Sequence, residues 1–163
     1  MGLTLIMGIG MRKRFGSKIV LLGLLLFWAL NSSAGETKAR LYDRIGGYDA
    51  ISHFSNGLID GFYSDSRLSR FTEGVTPPIE VVERDKQLTT EYLCKIAGGP
   101  CFYIGKDMHT THKDMKITKE EWAALMDHAI RLASVWNIEP ADKEEFLKLF
   151  DNIKLTIEVQ NPS

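Results

Sequence analysis

The sequence lacks the features that mark several large classes of protein. Its 20 lysine and arginine residues do not exceed its 21 aspartate and glutamate residues, whereas nucleic acids and anionic lipids require clustered positive charge. It contains no internal repeat, and apart from a few residues near Tyr103 no segment alternates apolar and polar side chains with a period of two. These absences argue against a nucleic-acid partner and against a sheet, and they favour an all-α domain.

The longest apolar run is short and lies close to the N-terminus. Four basic residues between positions 12 and 18 precede about a dozen apolar residues over 19–30, and small residues follow up to Ala34. A transmembrane helix needs about 20 such residues, whereas a basic segment, a short apolar segment and small residues make a cleavable signal peptide. We predict cleavage after Ala34, with an uncleaved membrane anchor as the alternative.

Removal of residues 1–34 leaves 129 residues with 16 basic and 21 acidic side chains, so the exported chain is mildly acidic. A chain of this length buries one core and makes one domain. We divide it into a polar leader over 35–41, a helical domain over 42–158 and a tail over 159–163. Export predicts a periplasmic or secreted protein without a stable membrane span after cleavage.

Apolar side chains recur at three- and four-residue spacing along four segments, which is the pattern of amphipathic helices. The segment over 71–78 separates the first two and is predicted to be a loop, because it contains glycine, threonine and two prolines. The helix starts and stops are marked by Gly46-Gly47, Pro77-Pro78, Gly98-Gly99, the capping-box pair Thr118 and Glu121, and Pro140.

Two cysteines, Cys94 and Cys101, flank the turn Gly98-Gly99-Pro100. A disulfide between them is one interpretation, because an exported protein meets an oxidising compartment. Two unlinked thiols in the core are the other, since spacing in sequence does not establish that the Cα atoms come within bonding range.

The connection over 98–118 is longer than a helical bundle requires, and long loops of this kind are usually functional. It carries His109 and His112, and we expect His112 to open a short amphipathic stretch. Imidazole is a common ligand of iron, so one histidine with apolar walls is compatible with a haem site, although a lone histidine is more often a structural residue. With Cys94 and Cys101, the two histidines could instead complete a zinc site, although the cysteine spacing is wider than in structural zinc sites.

Several short motifs together resemble the truncated haemoglobins of the first group. They are residues 42–51, Gly98-Gly99-Pro100, Tyr103, Gly105, Met108, His112 and Ile117-Thr118. The motifs follow the order and spacing of that family, and the resemblance runs from Tyr42 to about Ile157. It implies a two-over-two helical sandwich around haem b, with the helices packed in antiparallel pairs.

The resemblance also implies roles for single residues. His112 matches the proximal histidine that ligates the iron. Met108 and Tyr103 match positions at the haem edge, and Ile117 and Leu125 match apolar positions beneath it. The full set of expected cofactor contacts is Ile59, Phe71, Asp85, Thr89, Tyr92, Leu93, Tyr103, Met108, Ile117 and Leu125.

The distal side of the expected site departs from the family pattern. Many members carry a tyrosine directly after a phenylalanine in the first long helix, and a gap-free alignment places Leu58 and Ile59 there. The dipeptide Phe62-Tyr63 lies one turn later. Thr89 stands where a glutamine is common, and Asp85 takes the remaining distal position. Because threonine is a weaker and shorter donor, we expect faster oxygen release or easier oxidation than in relatives with tyrosine.

The resemblance implies reversible binding of a diatomic gas, oxygen or nitric oxide, at haem iron. The alternatives are a haem-dependent redox or peroxidase-like enzyme, nitric oxide detoxification, and a non-haem zinc-binding helical protein. Peroxidase-like turnover needs a distal acid–base group, and only Asp85 is placed for that role. Lys86, Arg84 and Lys106 are candidates to pair with the haem propionates.

Overall fold

The computed structural model of the protein describes residues 38–159, which form six α-helices and one 3₁₀ helix. The elements are α1 (Leu41–Arg44), α2 (Gly47–Ser64), the 3₁₀ helix (Ser66–Thr72), α3 (Ile79–Ile96), α4 (Met108–His112), α5 (Lys119–Val135) and α6 (Pro140–Thr156). The all-α prediction is confirmed for this part of the chain. Among these residues no helix is both long enough and apolar enough to cross a membrane. The signal peptide predicted over 1–34 lies outside the described residues.

The ends of α3 follow from local sequence signals. The helix begins directly after Pro78 and ends before Gly98, which adopts the left-handed conformation (φ 84°). The Gly98 N–H donates to the Lys95 carbonyl (3.1 Å). The Gly99 N–H donates to the Cys94 carbonyl (2.8 Å). These two bonds satisfy carbonyls that the helix leaves unpaired, and glycine adopts the required φ without steric cost.

The first turn of α5 contains the capping box that the sequence predicts. Thr118 Oγ1 accepts a hydrogen bond from the Glu121 N–H (3.2 Å), and the Glu121 carboxylate accepts one from the Thr118 N–H (2.9 Å). This exchange satisfies two N–H groups that have no partner within the helix. In α6, Pro140 occupies the first helical position, where a missing N–H costs nothing.

The central helix of the fold is α2. It packs along α3 and against α5, and it also contacts the 3₁₀ helix and α1. Helix α6 packs against α5 and α1, and α4 contacts α6. The pairs α2–α3 and α5–α6 therefore face each other through α2 and α5. Gly61 permits this close approach, because a Cβ atom there would lie 2.5 Å from the His128 imidazole.

Aromatic rings fill the core between α2, α5 and α6. The Phe54 ring centroid lies 5.0 Å from that of Phe146 and 5.5 Å from that of Trp136, and the last two rings pack edge-on at 5.1 Å. Burial of one large apolar side chain stabilises the fold by about 1.5–3 kcal/mol. The surrounding buried residues include Leu41, Ile45, Ile51, Leu58, Leu93, Ile117, Trp122, Phe150 and Ile157.

Three local features differ from the expectations drawn from sequence. Leu41, placed at the end of the polar leader, begins α1 and is buried. The segment expected to be a loop over 71–78 begins inside the 3₁₀ helix, which extends to Thr72. The 3₁₀ helix spans seven residues, and Leu68 is the one among them that is buried. A single buried side chain gives no periodic apolar face that could be detected in the sequence. His112 ends α4 rather than opening a stretch of helix.

Candidate functional site

His112, the predicted iron ligand, is the last residue of α4. The helix opens at Asp107, whose carboxylate accepts a hydrogen bond from the Thr110 N–H (2.9 Å). The Met108 carbonyl lies 2.7 Å from His112 Nδ1. A carbonyl can only accept, so Nδ1 carries the hydrogen in this contact. The contact orients the half-buried imidazole through Nδ1 and leaves Nε2 as the ring nitrogen that could face a metal.

The competing zinc arrangement is not formed. Cys94 and Cys101 are joined in a disulfide with their Cα atoms 5.8 Å apart, so neither sulfur is the thiolate that binds zinc. His109 is exposed, and its Nε2 lies 3.5 Å from a Glu158 carboxylate oxygen. Within residues 38–159 no three His, Cys, Asp or Glu side chains are grouped as a metal site. The zinc hypothesis, which needed both cysteines as ligands, is therefore wrong.

Six of the predicted cofactor contacts come together at the apolar core. Leu93 and Ile117 are buried within it. The other four side chains are half-buried and pack against the same cluster; they are Phe71, Tyr92, Met108 and Leu125. They come from five parts of the chain, and Met108 stands one turn before His112. Their roles toward a cofactor stay predictions, but their placement provides an apolar wall near the candidate ligand.

Tyr103 lies on the segment that the disulfide holds. Its ring packs edge-on against that of Tyr92, with centroids 5.2 Å apart, and its hydroxyl donates to the Lys106 carbonyl (2.8 Å). Burial raises the pKa of both phenols, so both stay protonated at neutral pH. The pair joins α3 to the connection that leads to His112.

Tyr63 provides a distal polar contact that sequence reasoning did not assign. Its hydroxyl donates a hydrogen bond to Asp85 Oδ2, which joins α2 to α3. Burial, together with this hydrogen bond to a carboxylate, raises the pKa of Tyr63 far above its ordinary value. The phenol therefore keeps its proton and points it at Asp85, a predicted distal residue. In the sequence, the dipeptide Phe62-Tyr63 could have indicated this contact, because it lies one turn after the position where many family members carry a phenylalanine followed by a tyrosine.

Ile59 and Thr89, the other two predicted distal residues, are half-buried on α2 and α3. Four-residue spacing places Ile59 on the same helix face as Tyr63, and Thr89 on the same face as Asp85. Among the described residues the Thr89 hydroxyl has no hydrogen-bond partner. The adjacent Thr90 is buried and donates to a carbonyl of its own helix (2.8 Å). The four distal positions therefore contain the hydrogen-bonded pair of Tyr63 and Asp85, the apolar side chain of Ile59, and the Thr89 hydroxyl, which has no partner among the described residues.

The candidate partners of the haem propionates are not equally available. Lys86 Nζ lies 2.9 Å from Asp60 Oδ1 and 3.0 Å from Glu83 Oε1, and its side chain is mostly buried. These two carboxylates commit Lys86 to an ion-pair network between α2 and α3. Arg84 and Lys106 are exposed.

Arg70 is a second residue that sequence reasoning did not single out. From the 3₁₀ helix its Nη2 donates to the Met115 carbonyl (3.0 Å) and the Lys116 carbonyl (3.1 Å). Its guanidinium also binds both carboxylate oxygens of Glu121, with Nη2 2.7 Å from Oε2. These partners lie 45 to 51 residues away in sequence, beyond the reach of any helical or strand periodicity. Arg70 therefore joins the 3₁₀ helix to the segment that follows His112.

A cavity of about 290 Å³ lies elsewhere, between α2 and the C-terminal end of α5. It is lined by Ala50, His53, Phe54, Leu132, Val135, Trp136 and Asn137. None of the predicted cofactor contacts lines this cavity, so it is separate from the candidate site. His53 is exposed.

Comparison with known proteins gives one family. The chain matches the bacterial-like globins over residues 40–159. It is 30% identical over 94 residues to a group 1 truncated haemoglobin of Mycolicibacterium paratuberculosis. That match covers 55% of this chain and 62% of the relative, so the aligned part spans less than two thirds of the relative's length.

Solved truncated haemoglobins share the fold. The Fe(III) form of the truncated haemoglobin from Tetrahymena pyriformis matches with a TM-score of 0.62 at 20% identity, covering 72% of this chain and 96% of that chain. A 2/2 haemoglobin from Synechococcus with covalently attached haem matches with a TM-score of 0.62 at 18% identity, covering 73% and 98%. At these identities the likeness shows the two-over-two all-α fold.

The residues at the candidate site fit a haem group. A haem of this kind needs one axial imidazole and an apolar pocket, because the porphyrin provides the other four iron ligands. His112 would hold the iron through Nε2, because Nδ1 is engaged by the Met108 carbonyl. Leu93, Ile117 and the half-buried side chains around them offer the apolar surface.

Proposed function

The chain belongs to the bacterial-like globin family, and from that premise we propose that it reversibly binds a diatomic gas, oxygen or nitric oxide, at haem iron ligated by His112. Haem is the cofactor of this truncated globin. When bound, haem would supply an iron that coordinates a protein imidazole and can bind a small ligand. We place the chain in group 1, a proposal supported by its likeness to the mycobacterial relative.

The single observation that carries the proposal is the 2.7 Å contact between His112 Nδ1 and the Met108 carbonyl. It orients the ring and occupies Nδ1, as the outer contact of a metal-binding histidine does. His128 uses its Nε2 on Asp65 (2.9 Å), and His109 lies in solvent beside Glu158. Among the described histidines, His112 combines partial burial with an engaged Nδ1 and an available Nε2.

The apolar residues would hold the porphyrin by hydrophobic burial. Ile117 and Leu125 are the proposed contacts beneath it, Met108 and Tyr103 are the proposed contacts at its edge, and Leu93 is a further proposed contact. Each Å² of apolar surface removed from water contributes roughly 25 cal/mol, so an apolar wall also favours the haem-bound state over the free one.

The distal side of the proposed site is short of hydrogen-bond donors. Ile59 is apolar, and the Tyr63 proton is committed to Asp85. The uncommitted Thr89 hydroxyl is the remaining donor, and its side chain is shorter than that of tyrosine or glutamine. A donor stabilises the partial negative charge on bound oxygen, so we propose faster oxygen release than in globins with a distal tyrosine. Because Asp85 is engaged by Tyr63, we prefer gas binding to peroxidase-like turnover.

The visible spectrum after haem addition tests the ligand assignment. We expect a Soret band in the wild type and in His109→Ala, and its loss or severe weakening in His112→Ala with helical circular dichroism retained. His109→Ala is the matched control, because it removes an imidazole one turn away on the same helix. A wild type that takes up no haem would reject the proposal, and an unchanged spectrum in His112→Ala would assign the iron to another residue.

We also propose that the protein is exported to a periplasmic or extracellular compartment. The Cys94–Cys101 disulfide supports this, because disulfides persist in oxidising compartments. Mass spectrometry of the periplasmic fraction after expression of the full chain should find a protein that begins at Gly35. An intact chain recovered with the membranes would instead favour the uncleaved anchor.

A further inference from the structure

The Arg70 side chain reaches from the 3₁₀ helix to the turn that follows His112. Its Nη2 donates to the carbonyls of Met115 (3.0 Å) and Lys116 (3.1 Å). The same guanidinium binds the Glu121 carboxylate at two points. One side chain therefore holds the segment between α4 and α5 at two main-chain carbonyls and at the first turn of α5.

The turn that Arg70 holds is joined to His112 through the main chain. The Met115 N–H donates to the His112 carbonyl (2.9 Å), so two consecutive hydrogen bonds through Met115 link Arg70 to the histidine. Lys116 is in the left-handed conformation (φ 48°), which is unfavourable for a residue with a Cβ atom and persists where its surroundings hold it. The hydrogen bond from Arg70 to the Lys116 carbonyl is one of the contacts that keep Lys116 in this conformation.

Arg70 is itself held from two directions. Its guanidinium carbon lies 4.2 Å from the centre of the Phe71 ring, within cation–π range, and Phe71 packs against Phe62 with centroids 5.9 Å apart. On the other side, the Glu121 side chain is only 12% exposed and is fixed by the capping box with Thr118. The guanidinium is therefore a defined link between the Phe71 wall and the turn after His112.

We infer that Arg70 is a positioning residue for the iron ligand: it fixes the turn after His112 and thereby sets the placement of the imidazole toward the haem iron. The inference rests on the proposed function, since it requires His112 to be the ligand. Removal of outer contacts to metal ligands typically weakens metal binding 10- to 100-fold. We expect the lower end of that range, because the Arg70 side chain is 48% exposed.

Arg67 offers a matched control. It lies on the same 3₁₀ helix, its side chain is exposed to a similar degree (52%), and it forms ion pairs with Asp65 and Asp127 at 2.7 Å each. Those partners lie at the start of the 3₁₀ helix and on α5, away from the turn after His112. Arg67→Gln therefore removes the same charge and comparable ion pairs without changing a contact to that turn.

The test compares haem-loaded wild type, Arg70→Gln, Arg70→Lys and Arg67→Gln. The resonance Raman frequency of the iron–histidine stretch in the unliganded ferrous protein reports on the bond to His112, and haem transfer to excess apomyoglobin reports on haem loss. We expect Arg70→Gln to shift the stretching frequency and to accelerate haem loss about tenfold. Arg70→Lys should behave similarly, because an ammonium group lacks the planar fork of donors. Arg67→Gln should match the wild type in both measurements.

Amide hydrogen exchange of the same haem-loaded proteins gives a second readout. Arg70→Gln should exchange faster over residues 113–118 than the wild type, with the protection of α2 unchanged. An unchanged stretching frequency and haem-loss rate would overturn the inference even if exchange increased, since Arg70 would then only stabilise the turn. Equal changes in Arg67→Gln would also overturn it. A wild-type stretching mode that is absent, or that survives in His112→Ala, would instead reject the proposed function.

Discussion

The two sides of the candidate haem site use their polar groups in different ways. On the proximal side, the Met108 carbonyl accepts a hydrogen bond from His112 Nδ1, and the Met115 N–H donates to the His112 carbonyl. Arg70 in turn donates to the Met115 carbonyl. On the distal side, Tyr63 and Asp85 satisfy each other. The proximal hydrogen bonds leave a ring nitrogen available to iron, whereas the distal pair uses up its own donor. Under the proposed function, this difference predicts a site that would hold its iron firmly and its gaseous ligand weakly.

The disulfide joins α3, which carries the distal residues Asp85 and Thr89, covalently to the connection that leads to His112, so its removal should have the largest effect. It connects Cys94, which is fully buried on α3, to Cys101 at the start of the connection to α4. We expect the Cys94→Ser, Cys101→Ser double variant to lose about 2–3 kcal/mol of unfolding free energy in urea, because a small closed loop is released in the unfolded chain. An unchanged midpoint in urea would mean that packing alone joins the two sides.

Tyr63→Phe tests whether the distal pair is a structural contact. The change removes a hydrogen bond to a carboxylate at a half-buried position, so we expect a loss of about 1 kcal/mol in unfolding free energy. The rate of oxygen dissociation, measured by stopped flow, should change little because the Tyr63 proton is committed to Asp85. A large change in that rate would place Tyr63 among the residues that contact the ligand.

Thr89→Val tests the remaining distal donor. Replacing the hydroxyl by a methyl group keeps the shape of the side chain, and loss of a weak hydrogen bond of about 0.6–1 kcal/mol corresponds to about three- to fivefold faster oxygen dissociation. Thr89→Ser keeps the hydroxyl and serves as the control. If Thr89→Val leaves the rate unchanged while Tyr63→Phe alters it strongly, the assignment of the donor to Thr89 is wrong.

The two sides should also respond to pH in opposite directions, with the smallest effects of the series. The hydrogen bond from Arg70 is the main cause of the lowered pKa of Glu121, so its stabilising contribution is present above the ordinary glutamate value, about 4.3, and is lost as the pH falls further. The pKa of Tyr63 is raised, mainly by burial, so its contribution is present below about pH 10 and is lost as the pH rises.

Thermal unfolding of the haem-loaded protein across pH checks these directions. Glu121→Gln should flatten the fall in melting temperature on the acid side, and Tyr63→Phe should flatten it on the alkaline side, with each variant leaving the opposite side unchanged. The acid effect should be modest, because Arg70 is half exposed and its ion pair is partly screened by solvent. A variant that flattened both sides would show that the two regions are coupled.

Much of the proximal side could be predicted from sequence because its interactions are local. The Met108 carbonyl and His112 are four residues apart, and the Thr118 and Glu121 pair is three residues apart, so helical geometry alone brings each pair together. The same local rules located the helix starts at Pro78 and Pro140 and the stop before Gly98. The short 3₁₀ helix was missed because a single buried residue, Leu68, leaves no period to detect.

The sequence by itself determined the all-α class and several helix ends, and it identified His112 as the candidate iron ligand, because each depends on neighbours within a helical turn or on a motif series. Only the tertiary structure decided that Tyr63 meets Asp85, 22 residues away, and that Arg70 meets Met115, 45 residues away. It likewise decided that the two cysteines are bonded and so cannot bind zinc. The physical reason is that many polar side chains could pair at such separations, and only the packing of the helices selects which of them come within hydrogen-bond distance.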